Sequence, residues 1–358
     1  MINYCTYIDV PKSVFDIAYK NRLMFIGSCF ADNIGAKMRE YRFSVDVNPF
    51  GVLYNPLSVA SASRRLLKPE PFVEDDLFYY NGMYHSFMHH GSFSDVSAGD
   101  CLAKINGSLK SAAENFRNIS YLVITFGTAY YYQLANGNTQ LTIDNTRCTT
   151  DKEAPEGTAG SVGHPGQLVA NCHKLPAAQF ERELLAVDRI VGEWSALIED
   201  AISVNTSLNV IFTVSPIRHW KDGAHFNQIS KATLLLAEQK LADKYPDRIS
   251  YFPAYELMMD ELRDYRFYAD DMLHPSKVAI DYIWERFCDT YMNMETKAVI
   301  KEMESINKAL NHRPLSSSVE ANKQFLMQTL LKIKQLQDKY PYLCFSKEEK
   351  EIASKLQK

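Results

Sequence analysis

Arg22-Leu23-Met24-Phe25-Ile26-Gly27-Ser28-Cys29-Phe30-Ala31-Asp32-Asn33-Ile34-Gly35-Ala36 is the stretch around which the chain is organised. The apolar run is short enough for a buried strand and breaks at Gly27. Past Ser28-Cys29 the apolar spacing turns helical through Lys37, Met38 and Tyr41. A strand, a tight turn and a helix start in that order present a side chain at the carboxyl end of a sheet. Backbone N–H groups at a helix start hold a nearby anion and favour the thiolate of a cysteine placed there. The stretch thus offers a nucleophile position, with a plain buried turn as the alternative reading.

At 358 residues, 46% hydrophobic and 23% charged, the chain can bury a sizeable core as one large α/β domain with an appendage or as two domains. A net charge of −4 leaves no electrostatic footprint for nucleic acid or an anionic membrane, so a small or neutral substrate is the default. No stretch approaches the ~20 apolar residues a membrane span needs. Residues 1–16 lack a basic segment followed by an apolar one, and the chain as written reads cytoplasmic. Cys5, Cys29, Cys101, Cys148, Cys172, Cys288 and Cys344 form an odd, scattered set with no Cys-x-x-Cys pair. Neither a disulfide framework nor a zinc cluster is expected, and no cofactor is implied.

In chain order, residues 1–20 read as an edge strand and a turn, and Phe43 to Val47 as a second strand. A turn-rich loop, Asn48-Pro49-Phe50-Gly51-Val52-Leu53-Tyr54-Asn55-Pro56, precedes a helix over 57–67. Asn81-Gly82 marks a hairpin in an aromatic insertion over 69–95. That insertion holds His85, His89 and His90, three histidines without a carboxylate pattern to complete a metal site, so a pocket or structural role is expected for them. A helix over 101–116 leads to the apolar strand Tyr121 to Phe126. A second insertion, 129–179, opens with a hairpin from Tyr130 to Ile143 and continues as a long polar excursion. A helix over 180–202 precedes the strand Leu208 to Val214. Pro216 ends that strand, bringing Arg218 and His219 out at the carboxyl edge where α/β sheets bind ligands. Arg218 is placed there either to hold an anionic group or to pair at a helix terminus. A helix over 228–245, a strand over 248–252 and a helix over 254–262 lead to Asp271-Met272-Leu273-His274-Pro275-Ser276 and a last covering helix. Strands alternating with helices through right-handed crossovers give a parallel sheet. The expected fold is a three-layer α/β/α sandwich, flavodoxin-like with five parallel strands, carrying inserted β-hairpins and a C-terminal helical appendage. The boundary falls near 296, where Lys, Glu and Gln rise on a helical period. Those helices pack on the domain or serve self-association.

A nucleophile on an early strand combined with a late Asp-x-x-His resembles the SGNH (GDSL-type) hydrolases. The string Gly27-Ser28-Cys29-Phe30-Ala31 is similar to the branch named after it, the GSCFA family. The resemblance spans roughly residues 20–290 and implies an esterase, acyl hydrolase or acyltransferase acting on an ester or acyl group. Asp271 and His274 would complete the triad, and aligning Gly27-Ser28-Cys29 with Gly-Asp-Ser puts Cys29 at the nucleophile, with Ser28 the alternative. Gly51 matches the family glycine whose N–H serves the oxyanion hole. The Asn donor expected after the third strand is missing, since Gly127 is followed by Thr128 and Ala129. Asn171 and His173, in the Asn-Cys-His-Lys string that GSCFA-like proteins also carry, are expected to fold over the pocket and replace it, with His85 forming the opposite wall. Tyr79, Tyr80, Tyr130, Tyr131 and Tyr132 are available to stack on sugar rings, which extends the expected substrates to carbohydrate esters. The competing reading is a catalytically silent ligand-binding protein that keeps the fold.

Overall fold

The structure, a computed structural model, describes residues 6–135, 163–310 and 319–356. Five strands form one parallel sheet: β1 (Arg22–Gly27), β2 (Ser44–Val47), β5 (Tyr121–Phe126), β9 (Asn209–Val214) and β10 (Ile249–Tyr251). Their spatial order is β10-β9-β5-β1-β2, which is 2-1-3-4-5 when only the strands of this sheet are counted. That is the flavodoxin-like order, and its switch point lies between β1 and β5.

Successive residues of a strand face opposite sides of its sheet, and both sides here are covered, so the strands are apolar throughout. Met24, Ile26, Leu122, Ile124, Phe126 and Phe212 enter one core. It is closed by α2 (Pro56–Leu67), α3 (Ala98–Phe116), α4 (Val187–Val204) and α5 (Gly223–Lys244). Leu23, Phe25, Tyr121, Val123 and Ile211 enter the other, beneath α1 (Cys29–Glu40) and α7 (Lys277–Tyr291). A short α6 (Ala254–Glu256) continues as a π turn before the loop that leads into α7. The C-terminal helices α8 (Met294–Leu310), α9 (Val319–Lys339) and α10 (Ser346–Leu356) belong to this second core through Met303, Ile306, Ile333, Phe345 and Ile352.

Two sequence expectations change. Residues 6–20 form no strand; the N–H groups of Ser13 and Ile17 instead satisfy the carbonyls of Thr290 and Tyr291 at the end of α7. The helix expected from Phe180 begins only at Val187, because Phe180–Leu184 is a strand, β8. It pairs antiparallel with β6 (Tyr130–Leu134), on whose other side lies β7 (Leu168–Val169). The rest of the hairpin expected up to Ile143, with its turn at Asn136-Gly137-Asn138, lies outside the described residues. The other hairpin is present as β3 (Phe78–Tyr80) and β4 (Met83–His85). Asn81 and Gly82 both have positive φ, as a two-residue hairpin turn requires.

Gly27 ends β1 with φ +147°, and a Cβ there would stand 2.1 Å from the Thr125 carbonyl oxygen of β5. A backbone oxygen in the centre of a sheet cannot give way. Gly27→Ala should therefore lose about 3 kcal/mol or more of stability, read by chemical denaturation. A loss under about 0.5 kcal/mol, the usual range for a neutral surface change, would contradict this account of the turn.

Candidate functional site

At the carboxyl edge of the sheet, over the switch point, a cavity of about 260 Å³ is bounded by five chain segments. The β1–α1 turn supplies Ser28 and Cys29, the loop before α2 supplies Tyr54, and the end of β5 supplies Gly127. The segment after β9 contributes Ser215 and Ile217 to Lys221, and the loop before α7 contributes Leu273 and His274. Larger clefts lie elsewhere, such as an apolar one of about 400 Å³ between Pro69 and α3. Those linings carry no pairing of a nucleophile with an imidazole.

The β1–α1 turn is held from three sides. Ser28 N–H donates to the Thr125 carbonyl at 3.1 Å and the Gly27 carbonyl accepts from Leu53 N–H at 2.9 Å. Gly27 N–H donates to Asn48 Oδ1 at 2.8 Å, and the Asn48 amide in turn donates to Asp32 Oδ1 at 2.6 Å. Ser28 is buried and caps α1, its Oγ accepting from Phe30 N–H at 3.3 Å. Cys29, the first residue of α1, is partly exposed in the cavity. Burial pushes its thiol up from the ordinary cysteine value and the Asp32 carboxylate adds to this; the backbone N–H groups of Cys29 and Phe30 and the Lys231 ammonium oppose it.

Asp271 and His274 form a closed unit on one loop. Asp271 Oδ1 accepts from the N–H groups of Leu273 and His274 at 2.9 Å each, and Oδ2 lies 2.5 Å from His274 Nδ1. These three bonds bring the Asp271 carboxyl down to about 2, the backbone donors leading. An ionised carboxylate only accepts, so Nδ1 carries the proton and Nε2 is left as the basic nitrogen. Met272, with φ +60°, supplies the bend that brings the two side chains together.

Arg218 and His219 also line this cavity. The His219 N–H donates to Asn227 Oδ1 at 2.8 Å, and its Nδ1 lies 3.3 Å from Asp222 Oδ2. Burial lowers the imidazole from its ordinary value despite Asp222.

Gly51, Asn171, His173 and His85 do not line the cavity. Gly51 N–H closes a turn onto the Asn48 carbonyl at 2.7 Å, and a Cβ at Gly51 would meet His90 Cβ at 2.3 Å, so this glycine serves a turn and a close contact. Asn171 Oδ1 accepts from His173 N–H at 2.9 Å, and His173 Nε2 meets the Ser86 carbonyl at 2.8 Å. His85 lies with Nδ1 2.6 Å from Ser94 Oγ and its ring 4.6 Å from that of His173. Asn171 and His173 thus fold onto the β3–β4 hairpin, where Phe78, Phe87, Leu134 and Leu175 form a satellite core. The hairpin consumes the polar groups that were expected to face the nucleophile. His89 is buried between Phe50 and Phe72. Among the described residues no group of three or more His, Cys, Asp or Glu is placed to hold a metal ion.

Three contributors gave no sequence signal for this role. Asn48 looks like an ordinary turn residue before proline. Tyr54 lies in the same loop; burial raises its phenol, with the charges of Cys29 and Asp32 acting in the same direction. Lys231 reads as a solvent-facing helix lysine yet is buried in α5, its Nζ donating to the Gly127 and Ser215 carbonyls at 2.8 Å each. Burial brings it down to about 7, against the pull of buried Glu238 and of Cys29. Thr128 turns to Ser230 of α5, with Oγ atoms 3.1 Å apart.

A model described as GSCFA family matches residues 22–150 and 161–287, and one described as GSCFA domain protein, C-terminal domain, matches residues 303–358. No curated protein matches the chain. No helix among the described residues is long and apolar enough to cross a membrane.

Two outcomes follow from these environments. Alkylation of Cys29 by iodoacetamide, followed by mass spectrometry, should need a pH above that of an ordinary thiol. Asp32→Asn should lower the midpoint and Lys231→Met raise it; unchanged midpoints in both would refute the charge assignment. The second outcome concerns His89 and His173, which burial holds down at about 3 and about 4. The unfolded chain binds those protons below about 6.5 and the folded chain does not, so the contribution of these two histidines to stability falls as pH drops from about 6.5 to 4. Denaturation midpoints over that range should show the slope, and His173→Gln should flatten it.

Proposed function

The chain belongs to the GSCFA family, and on that premise we propose that it is an acyl-transfer enzyme of the SGNH (GDSL-type) kind. It acts as a hydrolase or acyltransferase on an ester or acyl group, with carbohydrate esters within its range. The observation that carries this reading is the shared cavity: Cys29 at a helix start and the hydrogen-bonded Asp271–His274 unit bound one space at the switch point of a parallel sheet. Acyl transfer needs a nucleophile, a base oriented by an acid, and donors for the developing oxyanion.

In this reading His274 Nε2 takes the Cys29 Sγ proton as the sulfur bonds to the acyl carbon and the carbonyl electron pair moves onto oxygen. Collapse of that adduct expels the leaving oxygen, which receives the proton from His274, and a thioester on Cys29 remains. Water or an acceptor hydroxyl then gives its proton to His274 and attacks the thioester; the departing sulfur recovers the proton. Asp271 holds the tautomer throughout. Because burial raises the thiol, the proton leaves during attack and not from a standing thiolate. Ser28 Oγ is occupied as a helix cap, which favours Cys29 as the attacking atom. The Tyr54 phenol, kept protonated by its surroundings, is the donor best suited to the place left by Thr128 and Ala129; one such donor is worth about 3 kcal/mol in the transition state.

The raised Cys29 thiol is also what favours the second reading, a silent binding protein with the same fold. Hydrolysis of short p-nitrophenyl esters and thioesters separates the two. Cys29→Ala and His274→Ala should each lower kcat by at least about 100-fold. Ser28→Ala should keep turnover while losing about 1 kcal/mol of stability with its cap. A wild type inert on every ester, with Cys29 alkylation indifferent to His274→Ala, establishes the binding protein.

A further inference from the structure

We propose that the cavity beside Cys29 contains an oxyanion subsite centred on Arg218, so that the substrate carries a carboxylate, sulfate or phosphate next to the group being transferred. The placing of the transferred group rests on the acyl-transfer reading; the anion subsite rests on the charges alone.

The lining brings together Arg218, Lys221, His219 and His274 and includes no Asp or Glu. In a chain of net charge −4, a cavity with that one-sided lining is not an average sample of the surface. Three carboxylates on the elements that line it are already engaged. Asp222, with its side chain 1% exposed, pairs with Arg182 at 2.5 Å; Asp271 pairs with His274; Asp32 accepts from Asn48. Among the described residues none forms an ion pair with Arg218, and its buried Nε has no hydrogen-bond partner. The phenols of Tyr255 and Tyr268 are the groups that feel its charge. A guanidinium partly withdrawn from water without a carboxylate is costly unless a ligand supplies one, and its planar fork suits the paired oxygens of an oxyanion.

The segment that carries Arg218 is also fixed in advance. Ile217 N–H reaches Ser215 Oγ at 3.4 Å, His219 N–H reaches Asn227 Oδ1 at 2.8 Å, and Trp220 N–H closes onto the Arg218 carbonyl at 3.1 Å. Lys221, exposed at the rim, is steadied by the Tyr132 hydroxyl at 3.2 Å. An anion entering here meets preplaced charges, which lowers the ordering cost of binding.

Trp220 reports on the site directly. Of the three tryptophans, Trp194 and Trp284 are buried and Trp220 is 54% exposed at the cavity. Monomethyl succinate and dimethyl succinate have the same ester and the same carbon skeleton between their carbonyls, and differ by one charge. Each is titrated while Trp220 fluorescence and the shielding of Cys29 from iodoacetamide are recorded, with Trp220→Phe as the optical control. The monoester should shield Cys29 at a concentration about tenfold lower than the diester. Arg218→Gln should abolish that preference, and Lys221→Gln, at an exposed position that folding does not depend on, should reduce it. Inorganic phosphate as a competitor of the monoester reads any oxyanion; phosphate without effect means that a carboxylate is required, and both results support the subsite. Equal shielding by the two esters, or a preference that survives both substitutions, overturns it. Shielding needs no turnover, so a preference for the monoester in a protein that is inert on every ester and thioester, with Cys29 alkylation indifferent to His274→Ala, keeps the subsite and ends the acyl-transfer reading. Hydrolysis of both esters with equal kcat/KM does the reverse.

Discussion

Two backbones pass at Gly27 and Thr125 with no room for a methyl group between them, and the site depends on that approach. It lets the Ser28 N–H reach the Thr125 carbonyl, so the chain leaves β1 and enters α1 without a loop. Cys29 is thereby carried on the first turn of a helix whose position is set by the centre of the sheet. The neighbouring gap comes from topology. After β1 the chain goes one way to β2, and later returns on the other side through β5. The loops therefore part above the two strands and leave a crevice there.

Beneath that crevice α5 acts as a fastener. Lys231 binds carbonyls at the ends of both β5 and β9, and Ser230 Oγ holds the Ala129 N–H and the Thr128 hydroxyl. Two neighbouring residues of one helix thus fix both loops that follow the central strands. A lysine stripped of water costs free energy, which the two carbonyl bonds and the field of Glu238 offset only in part. Its charge lies close enough to act on Cys29, so the element that anchors the loops also sets part of the electrostatics at the sulfur.

The sheet was legible because its signals are local. A strand covered on both faces is apolar at every position, and β1, β5 and β9 declare themselves that way. Asn81-Gly82 similarly declares a hairpin by its own backbone needs. Asp271 and His274 were readable as a unit because only two residues of one loop separate them, and Cys29 because a glycine break lies between a strand and a helical period. What could not be read depends on distant partners. Leu184 and Leu185 fit the period of the following helix, but pairing with β6 outweighed local propensity over Phe180–Leu184. Asn171 and His173 were expected at the sulfur because their side chains can donate; nothing local says that the Ser86 carbonyl takes one and a turn the other. Gly51 lies in the expected loop, but the direction of its N–H is settled by Asn48. Lys231 carries the same letter as any lysine on an exposed helix face, and only the packing of α5 under two loops makes it internal.

The C-terminal helices are not set apart from the sheet: Phe345 and Ile352 share a core with Phe25 and Phe30. This has a consequence for the order of events during synthesis. The side of the sheet under α2 to α5 draws its buried residues from no later than Tyr255 and can be sealed while the chain is still growing. The side under α1 draws buried residues from as late as Ile352 and is complete only once the C-terminal helices have been made. The helix that bears Cys29 is therefore among the last elements to gain its full support, although it is among the first to be made.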